Sequence, residues 1–157
     1  IGQAEAHTEW DFVAVERANE YFLKLKTRVI KRRLRNMRVL RTDGADLVAS
    51  CFGDGSVDAY HIYFPDPWPK KRHHKRRLFT ESFCEHLRRT MKPGGTLFFA
   101  TDHGEYFAEI LSRLRAVLEV SEHAGPWEDA PLGRTNYEIK YLKQGRQVFR
   151  LVARRPA

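Results

Sequence analysis

The sequence predicts an α/β fold: a mostly parallel sheet with helices on both faces. Two observations predict it. Short apolar, β-prone runs alternate along the chain with longer segments whose apolar residues recur at helical spacing. Such alternation favours parallel neighbours, because each helix carries the chain back to the end of the sheet where the last strand began. Acidic residues also recur where the strands should stop, at Glu16, Asp43 and Asp66, with Asp102 just past a fourth. Parallel strands all end on one side, so four such acids would line one crevice, where open α/β sheets bind ligands.

Taken in order, residues 1–7 read as the tail of a helix, and residues 10–15 as a buried strand that ends at Glu16. Residues 17–34 follow as a long helix, with Tyr21, Phe22, Leu25, Val29, Ile30 and Leu34 on one apolar stripe. Its other side carries Lys24, Lys26, Arg28, Lys31, Arg32, Arg33 and Arg35, either a solvated face or an extension of a binding surface. Residues 37–40 form the next strand, ending near Asp43; residues 46–52 are helical and residues 53–56 a turn. Residues 59–64 are a strand. Residues 79–91 make a helix with Phe79, Phe83, Leu87 and Met91 at four-residue steps, stopped by Pro93-Gly94-Gly95. A strand over 96–100 leads through Thr101-Asp102 into a helix reaching Leu118. Residues 125–134 form a Gly- and Pro-rich loop, residues 137–142 a helical turn, and residues 147–153 a last strand.

Composition narrows the partners. At 157 residues the chain is long enough for one domain with a real core, and its 42% hydrophobic and 31% charged residues suit a globular protein. The net charge of +8 is clustered, which favours a polyanion as partner. No apolar run approaches a membrane span and no amphipathic anchor stands out, so no membrane is expected. Cys51 and Cys84 lack metal-ligand spacing, so we expect no metal, and two unpaired thiols point to a reducing cytoplasm.

The most informative stretch runs from His61 to Arg77. An aromatic strand stops abruptly at Pro65, because consecutive X-Pro steps neither extend a ladder nor start a helix. Asp66 stands between two prolines and Trp68 follows. Then come six Lys or Arg and two His: Lys70, Lys71, Arg72, His73, His74, Lys75, Arg76 and Arg77. A turn alone is often just a turn, and a basic run alone is often a solvated face. Together, at the end of a core strand, they suit chemistry on a nucleobase whose phosphates are held alongside. Glu16, after the strand that would be second in a nucleotide-binding half, suits a ribose, and Asp43 an adenine amino group. Each is otherwise a helix N-cap or a surface acid.

These residues resemble the tRNA (guanine-N7-)-methyltransferase family of class I, S-adenosylmethionine-dependent enzymes. The resemblance rests on Phe64-Pro65-Asp66-Pro67-Trp68 with its basic run and on Ala100-Thr101-Asp102 with Tyr106. It rests further on Thr135-Asn136-Tyr137-Glu138 with Lys140, Gly145 and Arg146, and more weakly on Asn36-Met37-Arg38 leading to Asp43. It runs from about Ala4 to Leu151. It implies a Rossmann-like fold with an antiparallel C-terminal strand. It also implies methyl transfer from S-adenosyl-L-methionine to N7 of a guanine in the variable loop of tRNA, by a monomer or homodimer. By resemblance Asp66 is catalytic and touches the cofactor, which Glu16 and Asp43 hold. Lys70, Asp102, Thr135, Asn136, Tyr137 and Glu138 contact the substrate, and Arg72, His73, His74, Lys75, Arg76 and Arg77 contact the RNA. The family carries a glycine-rich turn after its first strand, where this chain has only Ile1-Gly2. We therefore expect a single methyltransferase domain over residues 1–157, either truncated or only partly observed at its N-terminus.

Other readings stand beside this one. Thr135 and Glu138 have the spacing of a capping box, Trp68 suits packing as well as stacking, and His73 and His74 suit solvated members of the basic run. Two further functions compete: a non-catalytic RNA-binding module derived from such an enzyme, and a methyltransferase acting on a small molecule or protein.

Overall fold

The computed structural model describes residues 1–125, 127 and 135–157, apart from the side chain of Asn136. The elements are α1 (Gly2–Ala6), β1 (Phe12–Val15), α2 (Asn19–Lys31), β2 (Met37–Leu40), α3 (Gly44–Ser50) and β3 (Val57–Tyr63). A 3-10 helix (Lys71–Arg76) precedes α4 (Glu81–Thr90), β4 (Met91–Thr101), α5 (Gly104–Arg115), β5 (Glu119–Glu122), α6 (Asn136–Lys143) and β6 (Phe149–Arg154).

The strands form two sheets rather than one. β1 and β2 make a parallel pair in register from Phe12↔Met37 to Val15↔Leu40. The other four lie in the order β3-β4-β6-β5, with β3 parallel to β4 and β6 antiparallel to both neighbours. The expected mixed topology, parallel with an antiparallel last strand, is thus present. Helix packing joins the halves: Arg89 of α4 donates to the carbonyls of Val48, Ala49 and Phe52 at the end of α3 and pairs with Asp54. Asn36 anchors the first half, its amide reaching the carbonyls of Ala4, His7 and Trp10.

The core lies between the four-stranded sheet and helices α4 and α5. Phe79, Leu87, Met91, Leu97, Phe99, Ile110, Leu114 and Leu151 are fully buried there. Each such side chain contributes roughly 1.5–3 kcal/mol by leaving water. Phe79 stacks edge-on against Phe83 and Phe99, so it belongs to the core although it stands outside α4, which starts after the Thr80 cap.

Several expectations are corrected. Pro93-Gly94-Gly95 does not separate helix from strand: Met91 already pairs with Val57, and the glycines lie within β4 at a register shift. Gly95 is required there because a Cβ would stand 2.8 Å from the Lys92 carbonyl oxygen. β5 was not foreseen, since its Glu119, Ser121 and Glu122 are exposed and carry no apolar alternation. α5 stops at Arg115, and Leu118 is buried beyond it. On α2 the predicted stripe is too wide: Val29 is buried, whereas Tyr21 and Ile30 are 52% and 65% exposed. Residues 29 and 30 lie about 100° apart on a helix, so both cannot face one core. Of the 125–134 loop, all but Gly125 and Trp127 lies outside the described residues.

Candidate active site and nucleic-acid interface

Local sequence places the central carboxylate. β3 makes its last ladder bond through the Phe64 amide, which donates to Ala100 O at 2.8 Å. The chain then turns sharply, with Phe64 at φ 51° and Trp68 at φ 44°, left-handed conformations that non-glycine residues seldom adopt. Pro65 and Pro67 fix their own φ and contribute no amide donors to the turn. The Asp66 carboxylate is exposed and makes no hydrogen bond or ion pair with the described residues.

The strand ends gather the other expected residues. β4 delivers Asp102, which accepts from Arg146 at 2.7 Å, while His103 caps α5 by accepting from the Tyr106 amide. Because β6 runs antiparallel, its start lies at this same edge, with Phe149 opposite Thr101 and Arg150 opposite Ala100. Arg150 pairs with Glu138, and both side chains are almost wholly buried. Burial, helped by the Glu138 charge, pushes the Tyr63 phenol well above its ordinary range. Thr135 accepts from the Glu138 amide as the N-cap of α6, the local half of the two roles its spacing allowed.

Tyr137 ties this edge to the first sheet. Its ring lies 6.3 Å from Phe64, and Tyr21 of α2 lies near its hydroxyl. The adjacent Tyr21 hydroxyl, and after it burial, raise the Tyr137 pKa. Glu16 accepts from the Ala18 amide at 2.7 Å, and Asp43 caps α3 by accepting from Ala45, with Arg17 at 3.4 Å. Each acid spends one oxygen on a helix start. Asp43 has its second oxygen facing Arg17, whereas the second oxygen of Glu16 has no partner among the described residues.

The basic run coils into the 3-10 helix beside the turn. Lys70, Lys71, Arg72, Lys75 and Arg76 are exposed, and none forms an ion pair with the described residues. Arg76 lies over the Trp68 ring at 5.0 Å and His73 meets the same ring edge-on. Trp68 thus organises the basic helix. Arg77 departs from its neighbours: its side chain is 1% exposed and pairs with Glu109, so it is not presented to a phosphate. Among the described residues no cluster of His, Cys, Asp and Glu has metal-holding geometry, and no helix is long and apolar enough to cross a membrane.

Three residues escaped the sequence reading: Tyr63, Glu109 and Arg150. Arg150 had a legible signal, a charge set among apolar residues inside a strand, which requires a buried partner. Glu109 had none, because one acid on an amphipathic helix looks solvated.

A family model described as putative methyltransferase matches residues 1–151. A tRNA (guanine-N(7)-)-methyltransferase of Alkalilimnicola ehrlichii is 38% identical over 98% of this chain and 66% of its own length. One of Corynebacterium glutamicum is 40% identical over 82% of this chain and 50% of its own. The chain thus spans half to about two thirds of these relatives. Among solved structures, a methyltransferase from Pyrococcus furiosus superposes with a TM-score of 0.64 over 99% of this chain and 68% of its own, at 16% identity. That likeness concerns the fold.

Proposed function

We propose, since this chain belongs to the putative methyltransferase family and is similar to tRNA (guanine-N(7)-)-methyltransferases, that the protein containing it methylates N7 of a guanine in tRNA. The observation that carries the proposal is the Asp66 turn: an exposed carboxylate at a strand end beside five surface cations that form no ion pair with the described residues. The variable loop, as a single-stranded target, and the cytoplasm, where tRNA is processed, complete the reading.

The chemistry asks little of a base. N7 of guanine has an in-plane lone pair and no proton, so nothing has to be removed before it attacks. When bound, S-adenosyl-L-methionine supplies a methyl group on a positively charged sulfur. The chain's residues then have to hold guanine in line and accommodate charge. Asp66 accepts from guanine N1–H and the 2-amino group, which adenine cannot match, and leaves the N7 edge free. Glu16 and Asp43 hold the ribose and adenine of the cofactor. Lys70, Arg72, Lys75 and Arg76, with His73 and His74, receive the backbone phosphates. Tyr137, exposed on one side, offers a face for the extruded base. Thr135, Asn136 and Glu138 shape the substrate side. Glu138 acts from within, through its pair with Arg150, and Asp102 is held by Arg146.

The test uses the full-length protein, labelled methyl donor and unmodified tRNA, with a second tRNA carrying 7-deazaguanine. Incorporation into the first and none into the second is expected. Equal labelling of both would reject N7 as the target. Labelling of protein or small molecules instead, with binding indifferent to salt, would reject tRNA as the substrate.

A further inference from the structure

We infer that Arg77, the last residue of the basic run, is a positioning residue that clamps the Asp66 turn onto α5 and does not contact RNA. This rests on the function proposed above. Four contacts converge on one buried guanidinium. Nε donates to the Pro67 carbonyl at 2.8 Å, one residue beyond Asp66. Nη1 pairs with Glu109 of α5, and Nη2 lies 3.6 Å from Glu105 of the same helix. The plane stacks on the Tyr106 ring at 4.9 Å. Glu109 is fixed in turn by Arg113, which also donates to the Phe79 carbonyl in the core.

The turn needs such a clamp. Phe64 and Trp68 both hold left-handed φ values on either side of Asp66. Such a conformation is strained for a non-glycine residue and persists only where surrounding contacts over-determine it. Pro65, Pro67 and Pro69 remove the amides that would otherwise stitch the turn together. Among the described contacts, the Pro67 carbonyl is the point where the turn is tied to a helix of the core. A planar fork can hold a carbonyl, a carboxylate and an aromatic face at once; a lysine ammonium cannot. Within the basic run, the adjacent Arg76 and Arg77 thus do opposite work, one facing solvent and one facing the core.

The experiment compares Arg77→Lys, Glu109→Gln and Arg76→Ala in the full-length protein, by backbone amide exchange, tRNA binding across salt, and turnover. For Arg77→Lys we expect amides between Phe64 and Arg76 to exchange at least about tenfold faster, with those of β4 unchanged. Affinity for tRNA should stay within about twofold with its salt slope intact, while kcat falls at least about tenfold. Glu109→Gln should do the same more weakly, and it decides the matter if Arg77→Lys does not fold. Arg76→Ala should lower the salt slope by about one and leave amide exchange alone. A lowered salt slope without faster local exchange in Arg77→Lys would overturn the inference, and so would faster exchange spread over the whole chain. If the wild-type protein fails to methylate tRNA, the functional reading falls, and amide exchange alone still decides the clamp.

Discussion

A carboxylate flanked by two prolines keeps its charge exposed because neither neighbour can donate to it. Asp66→Asn removes that charge without changing shape. We expect tRNA affinity to stay within a few-fold while turnover drops about a hundredfold or more, measured by single-turnover methylation. Glu138 and Arg150 pose the opposite case, two charges sealed together. Glu138→Ala should cost roughly 3–5 kcal/mol in denaturant unfolding, because Arg150 is left buried and unpaired. A Glu138→Leu/Arg150→Met double variant should regain most of that stability while remaining impaired in methylation. The thiols give a further check. Cys51 is exposed and Cys84 buried, and burial pushes the Cys84 pKa up to about 11 from an ordinary 9.0. An aromatic disulfide reagent at pH 8 should therefore label one thiol in the folded chain and two after denaturation. Because the folded value is the higher one, Cys84 favours folding fully below pH 9 and progressively less as pH rises towards 11. Replacing it with alanine should flatten that decline.

At the scale of elements, what could be read in advance depended on whether one period dominated. The four-residue spacing from Phe79 to Met91 formed a helix over its middle, with Phe83 and Leu87 inside α4 and Phe79 and Met91 outside it, and the aromatic run into Pro65 formed a strand. Pro93-Gly94-Gly95 was misread because the residues that stop a helix are also those that make a strand bulge. The outcome was set by a close approach of backbones that sequence does not encode locally. Gly95→Ala should thus destabilise by about 1–3 kcal/mol, visible as a lower thermal midpoint, since backbone must yield to the new methyl. Thr80→Ala, which removes the acceptor for the Phe83 amide at the start of α4, should cost about 1 kcal/mol. The candidate site was legible where chemistry was concentrated in one run, at residues 66–76. It was illegible where partners came from distant elements, as with Arg77 and Glu109, 32 positions apart. The same blindness hid the inward turn of Arg77, since nothing in six clustered cations marks the one that is buried.

Across the whole molecule, the excess of +8 is presented rather than dispersed, through a basic helix whose cations form no ion pair with the described residues. Affinity for tRNA should accordingly fall by orders of magnitude between about 50 and 200 mM salt, as titrations would show. Parallel pairing of strands was anticipated from the alternation of elements. The division into two sheets was not, because hydrogen bonding between strands is decided by neighbours in space. That division has a material consequence. β5, at one border, wards off other chains with Glu119 and Glu122. Among the described residues β1, β2 and β3 each have a strand on one side only, and Val13, Val15 and Leu40 lie bare on the smaller ribbon. Expressed as these 157 residues, the polypeptide should clump by edge-to-edge zippering as its concentration rises, and light scattering would register it.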